Sequence, residues 1–408
     1  MSGMPAPSIP NLLTLRASRG SAGRARGRAR GRGRGGGGDS PYSASTSSPD
    51  AIVQGTDTDA AVSRMSAVDL GYLQDRYAQF FVQRPAVGNP VRRLPIINRG
   101  TYTRTTAIDK LISVFLSATS TTGAGGGTRQ IISLGAGTDT RAFRLFKEAS
   151  ENNVIYHELD FPAVTDKKFQ LATSTPVLRD ILRDSSFLEQ EGQQAHQQQT
   201  WRNEHLPNNC EYWCHGIDLR DLASRDHQPE EKPENSPTTA ATTTTFPPVC
   251  LPGLKTDVPT LLISECCLCY LESHEAAHVI SHFTSLIPGG LGIILYEPLL
   301  HSSPPSAFGQ QMVSNLSSRG IRMPTTRDFT TVASQQARLH SAGFDSFAAC
   351  ATIEMIWDEW VSPQEKDRVD ALEGLDEIEE WKLLAHHYSV SWGYRGLDLA
   401  GWRMGTSQ

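Results

Sequence analysis

The stretch Arg129-Gln130-Ile131-Ile132-Ser133-Leu134-Gly135-Ala136-Gly137-Thr138-Asp139-Thr140-Arg141 sets an apolar run, a Gly-x-Gly turn and the start of a helical pattern in direct succession. In a parallel α/β sheet that order brings bare backbone close to a nucleotide-like ligand. A dinucleotide fingerprint carries Gly or Ala at its third position, and Thr140 stands there instead. The loop therefore points to a nucleoside cofactor and away from an ordinary nicotinamide site. Acidic residues close three later apolar runs, at Asp160, Asp218 and Glu265. Open α/β sheets bind ligands beyond the carboxyl ends of their strands. Gly135, Asp160, Asp218 and Glu265 at successive strand ends thus form one candidate site.

Each of these residues has a chemical reading and a plainer one. Asp160, 25 positions after Gly135, can accept both ribose hydroxyls of an adenosine, or it can cap a helix starting near Pro162. Asp218 can accept from an adenine amino group, with Leu219 against the base, or it too can be a helix cap. Glu265 ends a fully apolar strand, where a carboxylate is expensive to bury without a partner. A methionine ammonium, a sulfonium or a local Arg or Lys would each serve. Tyr270 either lies over a transferred methyl or packs in the core.

The elements that must position these residues alternate. The first strand is Ile131–Leu134, followed by a helix from Thr140 to Ala149. Then come a strand Val154–Asp160, a helix from about Ala163 to Leu171, and strands Cys210–Ile217, Thr260–Ser264 and Leu291–Tyr296. A helix from about Ser273 to Leu286 lies between the last two of these strands. Alternation of this kind predicts βαβ units and a mostly parallel sheet. Phe347–Trp357 and Tyr388–Tyr394 read as late strands that pair at one sheet edge, with an acidic helical segment, Glu365 to His386, between them. Residues 58–82 carry helical apolar spacing.

Composition sets the outer limits. The 408 residues suit one large domain with appendages. Residues 1–50 hold eight Arg, no Lys and two Asp, so they carry +6 and leave −12 on the rest of a chain whose net charge is −6. An acidic folded body is a poor partner for nucleic acid or anionic membrane. Residues 1–55, with the Arg-Gly run Arg24 to Gly38, predict a disordered tail, and RNA contact by that tail is a secondary reading. A folded domain is expected over 56–408, interrupted at 223–257 by a Pro- and Thr-rich disordered insertion. Cys266, Cys267 and Cys269 crowd one apolar run, which suits buried thiols in a reducing compartment. Cys266-x-x-Cys269 with Cys210-x-x-x-Cys214-His215 resembles zinc spacing. The strand pattern instead places these thiols on buried strands, so no metal is expected. No run is long enough to span a bilayer and residues near the N-terminus form no apolar signal core, so a cytoplasmic protein is expected.

Four blocks resemble the leucine carboxyl methyltransferases. They are Leu94-Pro95-Ile96-Ile97-Asn98-Arg99-Gly100-Thr101-Tyr102-Thr103-Arg104, the loop Ser133 to Arg144, Glu158-Leu159-Asp160-Phe161-Pro162 with Lys167-Lys168, and Pro259 to Tyr270. Phe308-Gly309-Gln310, Leu375-Asp376-Glu377 and His387-Tyr388 also fit. The resemblance spans roughly residues 56–400 without the insertion. It implies a class I S-adenosylmethionine-dependent fold, with a mostly parallel seven-stranded sheet, helices on both faces and an N-terminal helical cap. It implies cofactor contacts at Arg64, Arg104, Gly135, Asp160, Asp218, Leu219 and Glu265, with Arg104 forking onto the methionine carboxylate. Arg99 would orient a peptide's terminal carboxylate. The implied acceptor is the C-terminal leucine of the protein phosphatase 2A catalytic subunit, and a monomer is expected.

The chemistry agrees. An α-carboxylate with a pKa of about 3.5 is ionised at neutral pH and needs no general base. The Asn/Asp-Pro-Pro-Tyr signature of amine methyltransferases is replaced here by Ser264-Glu265-Cys266-Cys267. The competing readings are a small-molecule, polyketide-type O-methyltransferase and a non-catalytic methyltransferase-like RNA binder.

Overall fold

The computed structural model describes residues 48–82, 92–118, 127–148, 153–182, 186–187, 199–223, 251–301, 305–376 and 378–403. The Arg-Gly run and the body of the expected insertion lie outside the described residues. So does most of the Gly-rich connection before the first strand.

Among the described residues, nine strands build one sheet: β1 Arg129–Leu134, β2 Val154–Asp160, β3 Ser186–Phe187, β4 Gln199–Leu206, β5 Cys210–Gly216, β6 Thr260–Glu265, β7 Leu291–Pro298, β8 Phe347–Thr352 and β9 Tyr388–Arg395. Their order is β3-β4-β5-β2-β1-β6-β7-β9-β8. The helices are α1 Pro49–Asp69, α2 Pro95–Ser117, α3 Arg141–Glu148, α4 Pro162–Ser174, α5 Pro176–Ile181, α6 Leu219–Ala223, α7 Ser273–Leu286, α8 Ala307–Ser318, α9 Val332–Ser341, α10 Ile353–Trp360, α11 Pro363–Asp370 and α12 Ile378–His386.

The five central strands β5, β2, β1, β6 and β7 are parallel, and their buried runs are what a sheet covered on both faces requires. Successive residues alternate between two cores. Ile131, Ile263 and Ile294 pack with α2, α10 and α12 on one face, whereas Ile132, Leu262 and Ile293 pack with α7 and Leu339 of α9 on the other. Helices therefore cover both faces, as expected.

Other expectations need correction. The sheet has nine strands among the described residues, not seven, and half of its strand pairings are antiparallel. β3 and β4 extend the β5 edge, where polar positions hid β4 from an apolar-run reading. β8 and β9 do form the late edge hairpin, but β8 stops at Thr352. The Thr352 hydroxyl accepts from Met355 N–H at 3.2 Å and starts α10, so the apolar run to Trp357 is partly helix. The acidic segment after it is two helices, α11 and α12, rather than one. The tail boundary moves as well. α1 begins at Pro49, capped by the Ser48 hydroxyl accepting from Ala51 N–H at 3.2 Å, and ends at Asp69. Within the expected insertion, Leu251 is buried and Lys255 N–H donates to Gln130 Oε1 at 2.9 Å, so residues 251–257 belong to the packed domain.

A buried histidine pair links β2 to β5. His157 Nδ1 and His215 Nε2 lie 3.0 Å apart, and His215 Nδ1 is 3.2 Å from Thr200 Oγ1. Burial pushes the His215 imidazole down to about 3 and lowers His157 in the same direction. The unfolded chain, with histidines near 6.5, binds more protons than the fold as pH drops from there toward 3. Stability is therefore present above pH 6.5 and is lost as pH falls through that window. His215 alone contributes a slope of up to about 1.4 kcal/mol per pH unit. Urea melts at pH 7.5 and 5.5 are expected to show this loss, and His215→Gln is expected to flatten it.

Candidate active site

The glycines of the loop after β1 let Cys267 and Asp57 approach its backbone closely. Gly135 has φ +64°, and an added Cβ would stand 2.4 Å from Cys267 Sγ. Gly137 has φ +46° and donates its N–H to Asp160 Oδ2 at 2.7 Å. Phe161 N–H donates to Asp160 Oδ1 at 2.7 Å. Each Asp160 oxygen thus accepts one backbone bond and keeps a further lone pair. Burial pushes this carboxyl up to about 6, and the nearby Asp57 adds to the rise.

Behind the loop lies a buried ion network. Arg141, at the start of α3, donates Nη1 to Asp139 Oδ2 at 2.8 Å and Nε to Asp109 Oδ1 at 2.7 Å. It also pairs with Glu265 Oε1. Arg64 of α1 donates to Asp139 Oδ1 at 3.2 Å and to the Thr140 hydroxyl at 2.9 Å. Lys168 Nζ donates to the Asp139 carbonyl at 2.9 Å and pairs with Glu158 at 2.5 Å. Burial alone would raise the Asp139 carboxyl, yet Arg141 and Arg64 hold it well below the carboxylate range.

Arg104 of α2 lies 3.4 Å from Glu265 Oε2 and 5.1 Å above the Tyr296 ring. Its Nε is the atom that faces Glu265, and it is buried. Half-buried Glu265 thus pairs with two local arginines, Arg141 and Arg104. Asp218 accepts Arg220 N–H at 2.9 Å in the first turn of α6. The same carboxylate pairs with the Arg220 guanidinium, which reaches on to Asp50 of α1.

Arg64, Arg104, Gly135 and Asp160 all line one cavity of about 370 Å³, and so do Asp218, Leu219, Glu265 and Tyr270. Polar lining comes from the strand ends, α1 and Arg104. Apolar lining comes from Ile96 and Ile97 of α2, Phe308 and Met312 of α8, and Trp381 and Leu384 of α12. Tyr270 thus lines the cavity rather than the core.

Arg99 does not join them. Its guanidinium pairs with Asp370 and lies 4.6 Å over the Trp357 ring and 5.6 Å over Trp381. The helical turn between Arg99 and Arg104 sends the two side chains to different surroundings. Cys266, Cys267 and Cys269 sit in the turn after β6 and not on a strand. Burial pushes the Cys267 and Cys269 thiols well above their ordinary range. Among the described residues no three His, Cys, Asp or Glu side chains gather as a metal site would need. No helix among them is long and apolar enough to cross a membrane.

Sequence reasoning missed Arg141 as the hub and Asp57 as a neighbour of the loop, where Thr138 N–H donates to Asp57 Oδ1 at 2.7 Å. The alternating charges of Asp139-Thr140-Arg141 carried the only local signal. Asp139→Asn breaks the network on one side and is expected to lower unfolding stability by about 3–5 kcal/mol. Denaturant melts check this. A loss under about 1 kcal/mol would mean that the other carboxylates carry Arg141 without Asp139.

A family model for leucine carboxyl methyltransferase matches residues 53–184. The leucine carboxyl methyltransferase 1 of Aspergillus fumigatus is 45% identical over 397 residues, covering 96% of this chain and 94% of that protein. The Arabidopsis thaliana homolog is 34% identical over 345 residues, covering 84% and 89%. Among solved structures, a plantazolicin methyltransferase in complex with a triazolic desmethylPZN analog and SAH gives a TM-score of 0.38 at 8% identity, covering 84% of this chain and 99% of that one. With relatives this similar along nearly its whole length, the chain belongs to the leucine carboxyl methyltransferase family.

Proposed function

We propose that this protein transfers a methyl group from S-adenosylmethionine to the C-terminal leucine carboxylate of the protein phosphatase 2A catalytic subunit, forming a methyl ester. The observation that carries the reading is the meeting, around one cavity, of the strand-end acids with Arg64, Arg104 and an apolar wall. The residues present fit the cofactor. Asp160 keeps lone pairs for a ribose diol, and it is burial that raises its carboxyl. Arg104 lines the cavity beside its ion-pair partner Glu265, and its guanidinium would hold the methionine carboxylate. Leu219 offers an apolar surface to the base, with Asp218 beside it.

S-adenosylmethionine, when bound, supplies an electrophilic methyl on a sulfonium. The residues of the chain bind and orient. The acceptor carboxylate is already ionised at neutral pH, so no side chain has to remove a proton from it. Placing its oxygen in line with the methyl is the catalytic task, and orientation of that kind supplies up to about 7–11 kcal/mol. Ile97, Phe308 and Leu384 supply apolar lining suited to a leucine side chain. Tyr270, on the same cavity, closes the reacting region against water.

Radiolabel from S-adenosylmethionine is expected to reach purified phosphatase 2A and to require its terminal leucine. Label on phosphatase lacking that leucine would refute the acceptor. Asp160→Ala and Arg104→Ala are each expected to weaken cofactor binding by at least about tenfold, as when charge-assisted hydrogen bonds are lost. Only ionised Asp160 can accept from both hydroxyls. Cofactor affinity, followed by calorimetry, is therefore expected to hold above about pH 6 and to fall below it.

A further inference from the structure

Asn98, Arg99 and Gly100 are consecutive on α2, and all three act on the segment that carries the apolar wall. Asn98 is fully buried. Its Oδ1 accepts from the Ser66 hydroxyl at 2.9 Å, and its Nδ2 donates to the Arg93 carbonyl at 3.2 Å and to Glu373 Oε2 at 2.8 Å. Glu373 lies in the turn between α11 and α12. Arg99 holds Asp370 at the end of α11 and spreads its guanidinium over Trp357 and Trp381. Those two indoles meet edge to face at 6.0 Å and 78°. A Cβ on Gly100 would stand 3.6 Å from Trp381 Cζ3, so the ring comes close to the α2 backbone here.

Trp381, Leu384 and Ala385 of α12 line the cavity, whereas Asn98 and Arg99 do not. We propose that Asn98 and Arg99 are positioning residues that set acceptor specificity. They fix α12, and above all Trp381, as the wall against which the terminal side chain of the acceptor is measured. The proposal rests on the reading of the cavity as a leucine carboxylate site. Arginine is suited to the task because a planar guanidinium can stack on indole faces while one edge pairs with a carboxylate. Lysine can keep the pairing with Asp370 but offers no flat face, so Trp381 would lose its support.

The test compares wild type, Arg99→Lys, Trp381→Leu and the double variant on phosphatase 2A catalytic subunits ending in Leu, Met or Ala. The readouts are kcat, KM for each acceptor, and KM for S-adenosylmethionine. Arg99→Lys is expected to raise the KM for the leucine-ended acceptor about tenfold and to erode its preference over the Ala-ended form by a similar factor, the scale of a misfitted apolar contact. The cofactor KM and kcat are expected to stay within about twofold. Trp381→Leu is expected to erode the preference equally, with no further erosion in the double variant. A lowered Tm with an unchanged Leu-to-Ala preference in Arg99→Lys would show a merely structural arginine and overturn the proposal. An unchanged preference in Trp381→Leu would overturn it too, even if Arg99→Lys failed to fold. Wild type that transferred no label to the leucine-ended subunit would overturn the underlying function and this proposal with it.

Discussion

Arg141 has 2% of its side chain exposed, and a guanidinium can stay ionised there only because carboxylates surround it. Those carboxylates come from places far apart in the chain: Asp109 on α2, Asp139 in the Gly loop and Glu265 at the end of β6. The hub therefore fixes the mutual placement of α2, the β1 loop and the β6 terminus. Arg64 adds α1 through Asp139, and Arg104 shares Glu265 with the hub. The cavity lies among the same elements, so its outline follows from this charge balance more than from the loop sequence. A network of this kind costs desolvation on every member and holds only while each keeps its partner.

The network also separates two neighbouring carboxylates by role. Asp139 is shielded by cations and stays ionised at any ordinary pH. Asp160 receives only two backbone N–H bonds, and burial leaves its carboxyl up near 6. The first is structural, while the second is an acceptor with capacity left for a ligand. Arg104 is the complementary group, a half-buried cation paired with Glu265 on the wall of the same cavity. An acceptor with spare lone pairs and a cation on the wall of one cavity suit a ligand that is both polar and charged.

The acceptor side is held by different forces. Stacking and edge-to-face contacts join Arg99, Trp357 and Trp381, and a single buried asparagine ties them to the turn before α12. Such contacts are short-ranged and directional, which suits a wall that has to discriminate one side chain from another.

Much of this was legible in the sequence, because some signals are local. An apolar run followed by Gly-x-Gly specifies a buried strand and a tight turn whatever surrounds it, and the acids closing β2 and β6 announced the site. The late hairpin could be read from its β-branched and aromatic runs. β4 could not, because its polar residues earn a place in the sheet only by pairing with β5. Nor could the end of β8, where Thr352 hands an apolar run over to a helix. Arg99 shares a motif with Arg104, yet side chains five residues apart on a helix meet different neighbours. The sequence by itself determined the strand ends and the turn that bring backbone and acids to one edge, since these follow from local sterics and burial. Only the tertiary structure decided which charges neutralise one another and which remain available to a ligand. That depends on distances between residues as far apart as 141 and 265, which no local pattern encodes.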